Sequence, residues 1–236
     1  MKKLLLLVIL FASICSGQAQ NEKGYYVKHL EFPQNATLQE KVDMAARLVP
    51  TPQQLAWQQM ELTAFLHFGI NTFTGREWGD GTEDPALFNP SQLDAEQWVR
   101  TLKDAGFKMV LLTAKHHDGF HFYDTQYSDF KVTNTPYGKD FVKEVVDACR
   151  MANVKVGFYF SQRDWYHPDY EPIDTTTIER ISSAPYFRAK EGKIVKPGKK
   201  HRKYIEYMFN TVRELCTNYG KIDMFNFDAS YWNGMF

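Results

Sequence analysis

A repeat of short apolar segments, separated by helix-like patterns, constrains the fold of this chain more than any other feature. Four apolar runs, at 62–69, 107–114, 154–161 and 222–227, are predicted to be strands. Apolar side chains recur at helical spacing over 94–105, 140–152 and 200–219, which are predicted to be helices. Strands that are apolar on both faces are typical of parallel sheets covered by helices. The chain is therefore predicted to be an α/β protein built from βα units.

Two architectures contain βα units in series: the TIM-type (β/α)8 barrel and the doubly wound open sheet. In the open sheet a glycine-rich, phosphate-binding turn commonly follows a strand, and no predicted strand here is followed by such a turn. A complete barrel needs eight units and roughly 250 residues, whereas four strands fit within this chain. We therefore expect a TIM-type (β/α)8 barrel of which only about the first four βα units are present.

The first 19 residues have the pattern of a signal peptide. Lys2 and Lys3 precede an apolar run at 4–12, and a small-residue cleavage site follows at 17–19. The apolar run is too short to span a bilayer, so we expect no transmembrane anchor. The segment predicts export, either to the periplasm or to the cell surface and medium.

The remainder of the chain is predicted to contain an N-terminal leader and part of a barrel. Residues 20–55 form the leader, with a helix expected at 38–48. A second short helix is expected from Thr51, which precedes a proline, through Trp57. Residues 56–236 are predicted to form the N-terminal half of the barrel.

Composition excludes some functions. The chain has 28 basic and 28 acidic side chains, so it lacks the positive charge that nucleic-acid binding requires. Aromatic residues make up 15% of the chain, which favours a large core or a pocket that holds ring-shaped ligands. Cys149 and Cys216 fall on apolar faces of predicted helices, where we expect buried thiols rather than a disulfide.

Polar side chains follow all four predicted strands. They are His67 with Asn71 and residues 76–81, His116 and His117 with Asp118, Tyr159 with Ser161 and residues 163–165, and Asp228. Singly, each has a structural explanation: His67 could be a hydrogen-bonded core histidine, and Asp228 could cap a helix. Together they predict one site at the C-terminal edge of the sheet, where barrel enzymes place their chemistry.

A metal-dependent hydrolase is one interpretation of this edge, because three histidines and Asp118 are ligand types that zinc uses. Neighbours on an extended segment point to opposite faces, so His116 and His117 are expected to be poorly placed for one ion. A sugar site fits better, since imidazole and carboxylate groups bond hydroxyls while Trp78 and Trp165 offer apolar faces. We therefore expect no metal and no other cofactor.

Over about residues 55–230 the sequence resembles the α-L-fucosidases of glycoside hydrolase family 29. The segments that carry the resemblance are 67–69 (HFG), 77–81 (EWGDG), 113–120 (TAKHHDGF), 157–159 (GFY) and 219–228. The resemblance implies a retaining enzyme that removes terminal α-L-fucose from glycans without a metal, and it places the nucleophile at Asp228. It also implies six fucose-binding residues: His67, Glu77, Trp78, His116, His117 and Tyr159. The expected partner is a fucosylated oligosaccharide or glycoconjugate.

The sequence departs from the family pattern next to the nucleophile. Asn226 replaces the usual tryptophan and Ala229 the usual glycine, so we expect altered contacts with the sugar or leaving group. The family's general acid/base is a glutamate that would lie beyond Phe236, and Glu77 is the carboxylate that could substitute for it; no residue is assigned to this role. The alternative is therefore a catalytically inactive barrel fragment with at most weak sugar binding.

Overall fold

The computed structural model describes residues 30–170 and 199–229, with only the backbone of 199–201. The chain divides into two units between Gln59 and Met60. In the first unit, helix α1 covers Leu38–Ala46 and helix α2 covers Pro52–Gln58. Each begins with a capping box, in which a threonine side chain accepts a hydrogen bond from the backbone three residues later. Both leader helices predicted from the sequence are confirmed.

The second unit is built on a four-stranded parallel sheet. Its strands are β1 (Thr63–Leu66), β2 (Met109–Lys115), β3 (Lys155–Ser161) and β4 (Met224–Asp228), and they lie side by side in chain order. The register pairs Leu66 with Leu112 and Ser161 with Asp228. Because all pairs are parallel, the C-terminal ends of the strands meet at one edge, and the predicted α/β parallel sheet is confirmed.

Among the described residues, four α-helices accompany this sheet. They are α3 (Ile70–Thr74), α4 (Ala95–Asp104), α5 (Phe141–Met151) and α6 (Lys199–Asn218). Asp94 and Asp140 cap α4 and α5, each accepting a hydrogen bond from the backbone N–H three residues later. Helix α3 is absent from the sequence prediction, which extends the first strand to Gly69. The strand ends at Leu66 instead, and Gly69 precedes the helix.

The core lies on both faces of the sheet. Every residue of β2 is buried, as its continuous apolar run predicts. Helix α5 buries the predicted stripe of Val142, Val145, Val146 and Cys149. Cys149 is a free buried thiol, whereas Cys216 is free but exposed, so its predicted burial is wrong. Helix α6 buries Leu215 instead, and the next residue lies about 100° further around the helix.

A glycine allows the last two strands to pack closely. A Cβ atom on Gly157 of β3 would lie 2.9 Å from the carbonyl oxygen of Met224 on β4. The missing side chain therefore permits β4 to lie where it does, and β4 carries Asp228 at its end.

Candidate active site

Asp228 lies at the C-terminal end of β4, with donors to both carboxylate oxygens. The Tyr159 hydroxyl donates to Oδ2 over 2.5 Å, and the Ala229 N–H donates to Oδ1 over 2.6 Å. Tyr159 pairs in register with Asn226, two residues before Asp228, so Tyr159 and Asp228 share one face of the sheet. The Asp228 side chain is 39% exposed, which leaves the carboxylate accessible while its orientation is fixed.

His116 and His117 lie beside Asp228, on a turn rather than on an extended strand. Strand β2 ends at Lys115, and the Gly119 N–H donates to the carbonyl of His116 over 3.1 Å. The two imidazole rings therefore stack, with centroids 4.4 Å apart and planes 30° apart. The expectation that they point to opposite faces is wrong, because it assumes that the strand continues.

The remaining predicted rings join this stack. The His67 ring packs edge-on to His116 at 4.6 Å between centroids, and Tyr159 stacks on His116 at 5.7 Å. On the other side, Trp78 lies edge-on to His117 at 6.1 Å, and Trp165 lies 5.4 Å from His117. Trp165, which the sequence suggests beside Trp78 as an apolar face for a sugar, therefore joins the six residues that the family resemblance implies.

Glu77 lines a cavity of about 260 Å³ next to these rings. His67, Glu77 and His116 all line this cavity. Asn71 and Arg76 lie in the same lining, so the cavity offers an amide, a guanidinium, a carboxylate and two imidazoles. The structure thus brings all seven predicted residues together, with His117, Tyr159, Trp78 and Asp228 joined to this cavity by the contacts above.

Burial keeps the histidines of the site neutral. Burial lowers the pKa of His116 to about 2, with the neighbouring His117 and His67 adding to the effect. Burial also lowers the pKa of His117 to about 3, aided by the charges of Arg163 and Lys115. Neutral imidazoles can donate and accept hydrogen bonds with hydroxyl groups without attracting a competing anion.

A buried lysine connects the ends of β2 and β3 beneath the site. The ammonium group of Lys115 donates to the carbonyl oxygens of Ser161 and Arg163 over 3.1 and 3.0 Å, and it lies 3.1 Å from Asp164 Oδ2. Both charged side chains are fully buried. Sequence reasoning missed this pair; the signal available was a lysine at the end of an otherwise apolar run.

Asp118 is a second buried carboxyl that supports the site. It accepts hydrogen bonds from the Phe120 N–H over 2.8 Å and from Asn71 Nδ2 over 2.6 Å. Burial raises the pKa of Asp118 to about 7. Within residues 30–170 and 199–229, no group of three or more acidic, histidine or cysteine side chains is arranged to hold a metal ion.

Comparisons with known proteins place the chain in a family. The model of the α-L-fucosidase family matches residues 34–234. The chain is 35% identical to "Alpha-L-fucosidase 1" of Arabidopsis thaliana over 79% of this chain and 32% of the relative. It is 53% identical to a solved protein of Bacteroides ovatus that is assigned as an α-L-fucosidase, with a TM-score of 0.72 over 89% of this chain and 32% of that one.

A third comparison is with a solved structure that contains a trapped reaction intermediate. A family 29 α-L-fucosidase of Bacteroides thetaiotaomicron, solved as a trapped covalent intermediate with 2-fluoro-fucosyl fluoride, is 26% identical, with a TM-score of 0.62 over 79% of this chain and 43% of that one. The chain spans about a third of the length of the Arabidopsis and B. ovatus relatives.

The neutral histidines predict that the protein loses stability in acid. The folded state holds His116, His117 and His121 with lowered pKa values, so below about pH 6.5 the unfolded chain binds protons that the folded chain does not. Asp118 acts in the opposite direction, because its raised pKa means that the folded state takes up its proton first. From these three histidines and one carboxyl, the unfolded chain binds about two more protons than the folded chain near pH 5. Burial also lowers the pKa values of His67 and His167, which act in the same direction.

The free energy of unfolding should therefore fall as the pH drops from 6.5 to 4, by about 3 kcal/mol per pH unit near pH 5. Urea unfolding at several pH values measures this slope. The variant His117→Gln should reduce the difference in bound protons between the unfolded and folded chains by about one, and the slope should become shallower. A free energy that rises or stays constant on acidification would contradict the neutral state of these rings.

The backbone conformation of Ala229 suggests a substitution that should stabilise the fold. It has a φ angle of +60°, in the left-handed region that costs a residue with a Cβ atom about 1 kcal/mol relative to glycine. Ala229→Gly should raise the free energy of unfolding by about 0.5 kcal/mol once the entropy of glycine is included. Ala152, which ends α5 at a φ of −82°, provides the matched control, and Ala152→Gly should destabilise the protein. Equal losses in both variants would exclude strain at Ala229.

Proposed function

The chain belongs to the α-L-fucosidase family, and we propose that it forms the fucose-binding face of a retaining α-L-fucosidase with Asp228 as the nucleophile. The observation that carries the proposal is the environment of Asp228. Its carboxylate lies at a strand end, accepts a hydrogen bond from Tyr159 over 2.5 Å, and lies 3.6 Å from His117 Nε2. It is therefore oriented by its neighbours and still accessible to a ligand.

The proposed reaction takes place in two displacements. In the first, a carboxylate oxygen of Asp228 forms a bond to the anomeric carbon of fucose, the glycosidic carbon–oxygen bond breaks, and a carboxylic acid protonates the departing oxygen. In the second, water attacks the same carbon, its proton passes to the carboxylate left by that acid, and Asp228 is released. The acid in this mechanism lies ~5–5.5 Å from the nucleophile, and we assign no residue of this chain to it.

The orientation of Asp228 is matched to the first displacement. The donors at its two oxygens fix the carboxylate plane, so little motion is needed before attack. Burial, together with the hydrogen bond to Asp228, raises the pKa of the Tyr159 phenol, so the phenol keeps its proton and remains a donor. A permanent donor stabilises the carboxylate before attack and again when it leaves.

Sugar binding is proposed to use the stacked rings and the cavity beside them. Neutral His67, His116 and His117 provide hydrogen-bonding groups for hydroxyls, and Glu77 provides an acceptor in the same cavity. The edges and faces of Trp78 and Trp165 form an apolar wall next to His117. A polar group on one side and an aromatic wall on the other suit a deoxy sugar, whose methyl group and ring face are apolar while its hydroxyls are not.

We also propose that the parallel sheet is part of a (β/α)8 barrel. The strands are adjacent in chain order, as in a barrel. Phe65 on β1 and Phe227 on β4 are 48% and 41% exposed, and both lie on the edge strands, which are less buried than β2 and β3. Further strands beside β1 and β4 would cover these rings and close the sheet.

Export is a further part of the proposal. Residues 1–19 lie outside the described residues, and among the described ones no helix is long and apolar enough to cross a membrane. The signal-peptide pattern predicts that the mature chain begins at Gln20. Expression of the whole chain in a bacterial host, followed by intact-mass measurement of the exported protein, should give this mass; a retained N-terminus in the exported protein would contradict the cleavage site.

The central test uses 2-fluoro-fucosyl fluoride, the reagent present in the solved relative. Fluoride departs without protonation, so the first displacement on this reagent does not depend on the acid catalyst. Incubation of the chain with the reagent should add one 2-fluoro-fucosyl group, located by peptide mass spectrometry at Asp228. Asp228→Asn should remove the label, whereas Asp104→Asn, at an exposed carboxylate on α4, should retain it.

The outcome separates the candidate functions. Labelling at another carboxylate would exclude Asp228 as the nucleophile. Fucose binding without labelling would favour the alternative, a catalytically inactive fragment that binds sugar weakly. Labelling that persists in EDTA would exclude a metal-dependent hydrolase.

A further inference from the structure

Each ring nitrogen of His117 lies near a side-chain oxygen atom. Its Nδ1 atom is 2.6 Å from Ser161 Oγ, and its Nε2 atom is 3.6 Å from Asp228 Oδ2. Burial lowers the pKa of this imidazole to about 3, so the ring is neutral and carries one proton. The nitrogen that holds the proton is a donor and the other is an acceptor. The position of this proton therefore decides what His117 offers to a ligand.

The surroundings of the serine hydroxyl determine that position. The Arg163 N–H donates to Ser161 Oγ over 3.1 Å, and Ser161 Oγ lies 2.9 Å from the carbonyl oxygen of Arg163. A carbonyl oxygen only accepts. If the serine proton pointed at His117, two oxygens would face each other at 2.9 Å with no proton between them. Ser161 therefore donates to the Arg163 carbonyl, and its remaining lone pair accepts from His117 Nδ1.

We propose that Ser161 is a positioning residue that fixes the proton of His117 on Nδ1, so that Nε2 faces the site as a hydrogen-bond acceptor. At 3.6 Å, Nε2 and Asp228 Oδ2 are too far apart for a hydrogen bond. The proton is thereby kept away from the nucleophile, whose lone pairs stay available. A ligand hydroxyl that reaches Nε2 must donate its own proton to it.

Burial and hydrogen bonds fix the position of the serine at the end of β3. Ser161 is fully buried and Arg163 is 1% exposed. The Lys115 ammonium group donates to the carbonyl oxygens of both residues. Because the acceptor of the serine proton is itself fixed, the hydroxyl cannot rotate toward His117 without leaving that carbonyl.

Without Ser161 the preference should reverse. Asp228 is then the nearest anionic group to the ring, and its charge favours a proton on Nε2. In Ser161→Ala the His117 proton should therefore move to Nε2, where it would compete with substrate for the nucleophile.

Long-range ¹H–¹⁵N NMR of the ¹⁵N-labelled chain tests the assignment without any ligand. In the unchanged protein, Nδ1 of His117 should have the shift of a protonated nitrogen and Nε2 that of an unprotonated one. The spectrum of His117→Gln identifies the signals. The opposite pattern in the unchanged protein would overturn the proposal.

Three serine variants complete the test. Ser161→Ala should move the His117 proton to Nε2, and Ser161→Thr, which keeps the hydroxyl, should preserve the original pattern. Ser128→Ala removes an acceptor of the Phe130 N–H elsewhere in the chain and should change nothing at His117. Unchanged His121 signals would show that the two Ser161 variants remain folded. An unaltered tautomer in Ser161→Ala, or a threonine variant that behaves like alanine, would overturn the proposal.

The consequence for catalysis rests on the proposed function and is measured separately. The rate of labelling of Asp228 by 2-fluoro-fucosyl fluoride should fall about tenfold in Ser161→Ala and recover in Ser161→Thr. An unchanged rate beside a changed tautomer would overturn the link between the proton position and the nucleophile. If the unchanged protein is never labelled, the proposed function fails, but the NMR spectra still decide the role of Ser161.

Discussion

The geometry of the site depends on the buried pair of Lys115 and Asp164. The lysine lies at the end of β2, and its ammonium group donates to the carbonyl oxygens of Ser161, the last residue of β3, and of Arg163 just after it. This arrangement joins the turn that carries His116 and His117 to the segment that carries Ser161. Removal of one partner from a fully buried pair lowers the free energy of unfolding by about 3–5 kcal/mol, because the remaining charge is left buried without its partner. Lys115 therefore links the two strand ends only while Asp164 balances its charge.

Above this pair, the site combines one accessible carboxylate with rings that burial keeps neutral. A charged imidazole beside Asp228 would form an ion pair and occupy the carboxylate. Burial prevents this for His116 and His117, and Tyr159 supplies a donor that keeps its proton. The desolvation that makes these imidazoles poor bases therefore keeps them from forming an ion pair with Asp228, the proposed nucleophile, and leaves the ring nitrogens available for hydroxyl groups.

The elements of the fold could largely be predicted from the sequence, since continuous apolar runs and helical stripes report burial directly. Helix α3 could not, because its five residues are too few to show a period. Cys216 was misplaced because a shift of one position turns a side chain by about 100° around a helix. The seven candidate site residues and Trp165 could be predicted from strand ends and resemblance, whereas the pairing of Lys115 with Asp164 required knowledge of which segments pack together.

By itself, the sequence determined the order of the strands and the longer helices and the side chains at each strand end, because these follow from local periodicity and chain position. It also determined the family, through short motifs at those ends. Only the tertiary structure decided how the rings meet. The stacking of His116 on His117 depends on the turn that follows β2, and the hydrogen bond from Tyr159 to Asp228 arises where separate strands converge. The contact of Ser161 with His117 joins residues 44 positions apart, and no local pattern encodes the direction of a proton between them.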